Sequence, residues 1–158
     1  MDIATLNVRG LNDAGKRQTL FYWLKSNCYS IICLQETFIT DEKKATFDAD
    51  WKGSTFHCTS NSSHSKGVSI LINENFNHEI IDCISSNDGR KLLVNIKCNN
   101  QTYSIANIYA PTDVTHRKHF FYEVRKWITD NAINKNALII CGDFNSTLAD
   151  IDKKNNNI

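Results

Sequence analysis

The sequence predicts an α/β protein in which sheet packs on sheet and helices lie outside. Two observations predict it. Helical patterns alternate with apolar, strand-like runs near both ends of the 158-residue chain, and an antiparallel series of strand segments fills the middle. A third observation bounds it: one proline and six glycines leave no linker and no low-complexity segment before the tail KKNNNI, 153–158. One domain over 1–158 is expected, large enough for a real core.

The elements follow in order. IATLNV (3–8) is a short strand, and Asp13 is placed to N-cap a helix through KRQTLFYWLKSN. SIICLQE (30–36) is a continuous apolar run ending in a carboxylate, as expected of a strand buried on both faces. TDEKKATFDADW (40–51) suits a short helix whose first-turn acids complement the helix dipole. STFHCTS and GVSILIN are strands around the polar loop NSSHSK. EIIDCIS, KLLVNIKC and TYSIANIYA continue the series, and Asp88-Gly89 between the first two signals a hairpin. After Pro111, a helix over 113–131 sets Phe120, Val124, Trp127 and Ile128 on one stripe with Phe121 beside it. In LIICGDFNS (138–146) an apolar run forms a buried strand, Gly142 ends it, and Asp143 and Asn145 stand at its open end.

Charge and composition exclude several functions. With 41% apolar and 22% charged residues the chain has an ordinary globular make-up, and its net charge of +1 supplies no global field for nucleic acid. Any basic surface is therefore local. The opening MDIATLNVRG has no cationic stretch followed by an apolar core, so no signal peptide is expected. No run approaches the ~20 apolar residues that span a bilayer. Six cysteines include no Cys-x-x-Cys pair, which disfavours a zinc ribbon or a thioredoxin-like site; reduced thiols in an intracellular protein are expected.

Four strand ends carry polar groups: Asn7, Glu36, Tyr109, and Asp143 with Asn145. Taken singly each has an ordinary explanation. Glu36 fits a solvated charge, Asn7 a turn before Gly10, Tyr109 a core aromatic, and Asp143 with Asn145 a cap and turn. Taken together they are parts for metal-assisted hydrolysis of a phosphate ester. Glu36 is a hard oxygen donor suited to Mg²⁺, with Mn²⁺ a substitute, and Asn7 has an amide oxygen for the ion or its water. Asp143 can take a proton from an attacking water, which Asn145 could hold. The Tyr109 hydroxyl can donate to a phosphate oxygen as charge builds on it.

TLNVRGLN (5–12), IICLQET (31–37), GVSILI (67–72), NIYAPT (107–112) and CGDFNS (141–146) resemble, in order, the endonuclease/exonuclease/phosphatase superfamily. LNVRGL, LQET, IYAPT and GDFN are most similar to the apurinic-type endonuclease domains of non-LTR (LINE) retrotransposons. The resemblance implies a four-layered α/β/β/α sandwich and Mg²⁺-dependent phosphodiester cleavage. It implies Asn7 and Glu36 at the metal, Tyr109 at the phosphate, Asp143 activating the nucleophile and Asn145 as its partner. DNA is the implied substrate, nicked in the nucleus by a protein that also carries a reverse transcriptase. Arg9, Lys16, Arg17, Arg117 and Lys118 are candidates for a DNA-facing rim acting through phosphates. The superfamily also ends in a Ser-Asp-His element that has no counterpart in these 158 residues, so an incomplete domain with impaired catalysis is expected. A phosphatase or sphingomyelinase-like activity, or a non-catalytic remnant, are the alternatives left open.

Overall fold

A computed structural model describes residues 1–59 and 64–146. The loop NSSHSK lies partly, and the tail 153–158 wholly, outside the described residues. Among the described residues, eight strands form two four-stranded sheets. The first contains β1 (Ile3–Asn7), β2 (Ile31–Gln35), β3 (Gly53–Cys58) and β4 (Val68–Asn73), in the order β1-β2-β4-β3. The second contains β5 (Glu79–Ser85), β6 (Lys91–Cys98), β7 (Gln101–Tyr109) and β8 (Leu138–Asp143), in chain order. Three helices complete the frame: α1 (Ala14–Ser26), α2 (Lys44–Asp50) and α3 (Val114–Asn131).

Period-two alternation explains why several strands read as unbroken apolar runs, because their two faces go into different cores. Ile31 and Cys33 of β2, with Val68, Ile70 and Ile72 of β4, meet Leu92, Val94 and Ile96 of β6 and Ile105 of β7 between the sheets. The alternate residues Ile32, Leu34 and Leu71 turn outward against Phe21 and Leu24 of α1 and Phe47 of α2. On the other side Leu93, Ala106 and Ile108 pack beneath Phe120, Val124 and Ile128 of α3. The result is helix, sheet, sheet, helix, the four layers expected. The helix stripe holds, with Trp127 and Phe121 only partly buried at its margin.

Both long helices begin where the sequence caps them. Asp13 accepts from the Lys16 N–H at 2.7 Å and Asp113 from the His116 N–H at 3.0 Å, satisfying donors that the first turn leaves unpaired.

The topology builds the site. β1 and β2 run parallel through α1, and β7 and β8 run parallel through α3. Parallel pairs end at the same edge, so the carboxyl ends of all four strands converge where β1 packs against β8. Two expectations for the last strand are corrected. Among the described residues β8 is the edge of its sheet and only partly buried, with Ile140 46% exposed. Nor does Gly142 end it: pairing continues to Asp143, which lies opposite Tyr109.

Candidate active site

Asn7 is the last residue of β1, Tyr109 the last of β7 and Asp143 the last of β8, while Glu36 follows β2 directly. The structure brings these four together in one chain of hydrogen bonds. Asn7 Nδ2 donates to Glu36 Oε1 at 2.9 Å and to Asp143 Oδ2 at 2.8 Å. The Tyr109 hydroxyl donates to the same Glu36 oxygen at 2.8 Å. Two carboxylates thus share one amide and one phenol as their donors.

Local backbone sets each group. Glu36 has φ +54°, a left-handed conformation that costs a non-glycine residue energy and turns the chain out of the strand. Neighbouring backbone holds it there: Gly10 N–H donates to the Glu36 carbonyl and Thr37 N–H to that of Gly67. Gly142 lets β8 approach β7: at its φ of +148° a Cβ would sit 1.9 Å from the Ile108 carbonyl oxygen. Only glycine fits there, and it sets Asp143 beside Tyr109.

Two of the ordinary readings also hold, on the other atoms of the same side chains. Asn7 Oδ1 accepts from the Arg9 N–H at 3.2 Å, and Asp143 Oδ1 from the Asn145 N–H at 2.9 Å, so each also forms a short polar turn. The orientation of Asn7 differs from the expectation for a metal ligand. Facing two carboxylates, its amide presents nitrogen, and its oxygen serves the turn. Asn145, at φ +46°, donates through Nδ2 to the Ala110 carbonyl at 2.8 Å, tying the end of β8 to the end of β7.

Tyr109 is 8% exposed. Burial, followed by its bond to Glu36, pushes the phenol up to about 12, which keeps it a hydroxyl donor through the neutral range. A cleft of about 380 Å³ is lined by Asn7, Asp143 and Asn145 together with Thr5 and Gln35.

The basic candidates fare differently. Arg17 is corrected: at 5% exposure it is on the buried face of α1, its guanidinium within 2.6 Å of Asp50 Oδ2 and bonded to the Leu11 carbonyl, so it is no part of a rim. A buried guanidinium with a carboxylate and a carbonyl for partners is a structural strut. Lys16 Nζ donates to the Val8 and Arg9 carbonyls and so holds the turn after Asn7. Arg117 clasps the Pro111 and Thr112 carbonyls. Arg9 and Lys118 are exposed.

Three residues escaped the sequence reading. Gln35 and Asn107 form a buried amide link between the sheets directly behind the site: Gln35 Nε2 lies 2.7 Å from Asn107 Oδ1, and Asn107 Nδ2 bonds the Leu34 and Ser69 carbonyls. The available signal was alternation, which puts Asn107 on the same inward face as Tyr109. The third, Arg90, stacks on the Tyr109 ring at 4.8 Å.

The sequence profile described as the Endonuclease/Exonuclease/phosphatase family matches residues 4–158. A transposon TX1 uncharacterized 149 kDa protein of Xenopus laevis is 34% identical over 150 residues, which is 94% of this chain and 11% of that protein. Among solved structures, an AP endonuclease from Archaeoglobus fulgidus superposes with a TM-score of 0.71 at 21% identity, covering 96% of this chain and 60% of that one. A Bacteroides thetaiotaomicron mannosyl-6-phosphatase superposes with a TM-score of 0.71 at 16% identity, covering 90% of this chain and 64% of that one. TDP2 of D. rerio, complexed with single strand DNA product, gives 0.64 at 15% identity over 92% and 60%. The chain therefore spans about a tenth of the transposon protein and under two thirds or so of these folds. By the family match over nearly its whole length, the chain belongs to the endonuclease/exonuclease/phosphatase family, a group of nuclease- and phosphatase-type hydrolases.

Proposed function

We propose that this chain provides the site of an Mg²⁺-dependent DNA-nicking hydrolase of a retrotransposon-like protein that also carries a reverse transcriptase. One observation carries the reading: Asp143, Asn7, Glu36 and Tyr109, from four strand ends, form one unbroken hydrogen-bonded chain beside an open cleft.

The residues fit a divalent ion. Mg²⁺ takes one or two protein carboxylates and leaves the rest of its shell to water and phosphate, and the site has two carboxylates, Glu36 and Asp143. Glu36 would hold the ion; Asn7 would join it through oxygen once its amide turned over. Bound there, the ion would neutralise phosphate charge and acidify a water.

The protein's own groups supply the rest. Asp143 takes the proton of the attacking water as the new P–O bond forms and the bond to the 3′ oxygen breaks, the leaving 3′ oxygen taking its proton from solvent water. Tyr109, neutral at working pH, donates its hydroxyl proton in a hydrogen bond to a phosphate oxygen, in place of Glu36. Arg9 and Lys118, both exposed, are free to contact the phosphates of a DNA backbone. The similarity to a transposon protein supports DNA over a small phosphomonoester; the fold likeness extends equally to an AP endonuclease and a mannosyl-6-phosphatase and does not choose between them.

Supercoiled plasmid and soluble inositol phosphates, offered in one Mg²⁺ buffer with an EDTA control, test the reading. The assay pairs this chain with the same chain carried on through a Ser-Asp-His element, which the reading expects to be the faster nicker. Plasmid nicking that EDTA stops and that Asp143→Asn lowers by about 10²-fold or more supports it. Turnover of inositol phosphates alone, or nicking indifferent to Asp143→Asn, overturns it.

A further inference from the structure

Arg90 has no place in the hydrolytic scheme, yet three contacts bind it to Tyr109. The residue follows Asp88-Gly89 and precedes β6, where the antiparallel register brings it opposite the end of β7. The Tyr109 N–H donates to the Arg90 carbonyl at 2.9 Å. Arg90 Nη1 donates to the Tyr109 carbonyl at 3.1 Å. Its guanidinium carbon lies 4.8 Å from the centroid of the Tyr109 ring.

A tyrosine ring swings about χ1 and χ2, and packing fixes its pose. Here one face of the ring is covered by a planar cation whose own position is locked by a bond to the same residue's main chain. The ring cannot tilt away from Glu36 without losing the stack, and the guanidinium cannot leave without losing the carbonyl. The loop holding Arg90 is itself tied down: Asp88 Oδ1 accepts from the Arg90 N–H at 3.1 Å, and the Gly89 carbonyl accepts from the Gly67 N–H at 3.0 Å.

We propose that Arg90 is a positioning residue that clamps the Tyr109 ring in the pose aiming its hydroxyl into the active site. The role of the hydroxyl rests on the hydrolase reading; the clamp itself does not. Arginine is required for it. Only a planar fork can stack on an aromatic face and bond a carbonyl in the ring's own residue, whereas a lysine ammonium is a point charge on a flexible stem. Charge alone therefore does not replace it.

The test uses this chain with ¹³C-labelled tyrosine, five rings in all, and Tyr109→Phe to assign the resonance. It needs neither metal nor substrate, so it stands apart from the plasmid assay: a failed clamp leaves the hydrolase reading intact, and a failed nuclease leaves the clamp. In Arg90→Ala the Tyr109 ring signal shifts and its flip rate rises about tenfold, the scale of a lost cation–π contact with its hydrogen bond. The remaining tyrosines keep their shifts. Arg90→Lys behaves like Arg90→Ala. In the wild type, nuclear Overhauser contacts join the Arg90 side chain to the Tyr109 ring, a readout that survives if both variants unfold. An unaltered Tyr109 signal in Arg90→Ala, full rescue by Arg90→Lys, or absence of the wild-type contacts would each overturn the proposal.

Discussion

Asn7 and Asp143 stand 136 positions apart in the chain and 2.8 Å apart at their side chains. The bond joins the edge strand of one sheet to the edge strand of the other. The same amide nitrogen also binds Glu36, so two negative groups are held together by a neutral donor.

Replacing that donor with a third acid has a definite consequence. In EDTA, Asn7→Asp melts below Asn7→Ala, because like charges then converge without a donor between them. Millimolar Mg²⁺ raises Asn7→Asp more than Asn7→Ala, since a cation that binds only the folded state stabilises it by mass action, by about 2.7 kcal/mol at a hundredfold excess over Kd. Thermal melts with and without Mg²⁺ decide it. Equal responses by the two variants would show that the carboxylates do not form a cation site.

The amide link behind the site is a stability element. Asn107 is fully buried, with its nitrogen on two carbonyls and its oxygen on Gln35. Asn107→Leu strands those partners and costs about 3 kcal/mol in urea unfolding, as lost buried hydrogen bonds do. Adding Gln35→Leu to it costs less than Gln35→Leu alone, because the partner is already gone. Additive losses would dissolve the link.

A buried histidine makes stability fall on the acid side. His57 lies between Asp48, at 2.8 Å, and Ser69, at 2.7 Å. Burial holds its pKa below the ordinary 6.5, with Asp48 opposing. The unfolded chain therefore binds a proton first as pH drops, so this contribution is whole above about 6.5 and is lost as pH falls toward the folded value. Denaturant midpoints from about pH 7 to pH 5 decline in the wild type and decline less in His57→Gln. Parallel declines would remove His57 as a source.

The sequence made visible whatever depends on neighbours along the chain. Asp13 announces its helix by local capping, and the four polar strand ends stand out because each closes an apolar run. What it concealed depends on the sheet order or on distant partners. LIIC looks buried, but among the described residues β8 is paired on one side only, by β7, and is partly exposed. Arg17 looks like a rim cation because its partner, Asp50, is 33 positions away. Gln35 and Asn107 are 72 positions apart, and neither amide reads as a link until the two sheets face one another. The amide of Asn7 presents nitrogen because two acceptors, from β2 and β8, meet it at once.

The proposed function rests on Glu36, with Asn7, holding one divalent cation beside Asp143. Titrating Mn²⁺ into ¹⁵N-labelled chain and following paramagnetic broadening tests it most directly. Signals of residues 7, 36, 109 and 143 are expected to broaden first, Mg²⁺ to compete the effect away, and Glu36→Gln to abolish it while keeping the fold. Equal broadening of those signals in the wild type and Glu36→Gln would contradict it.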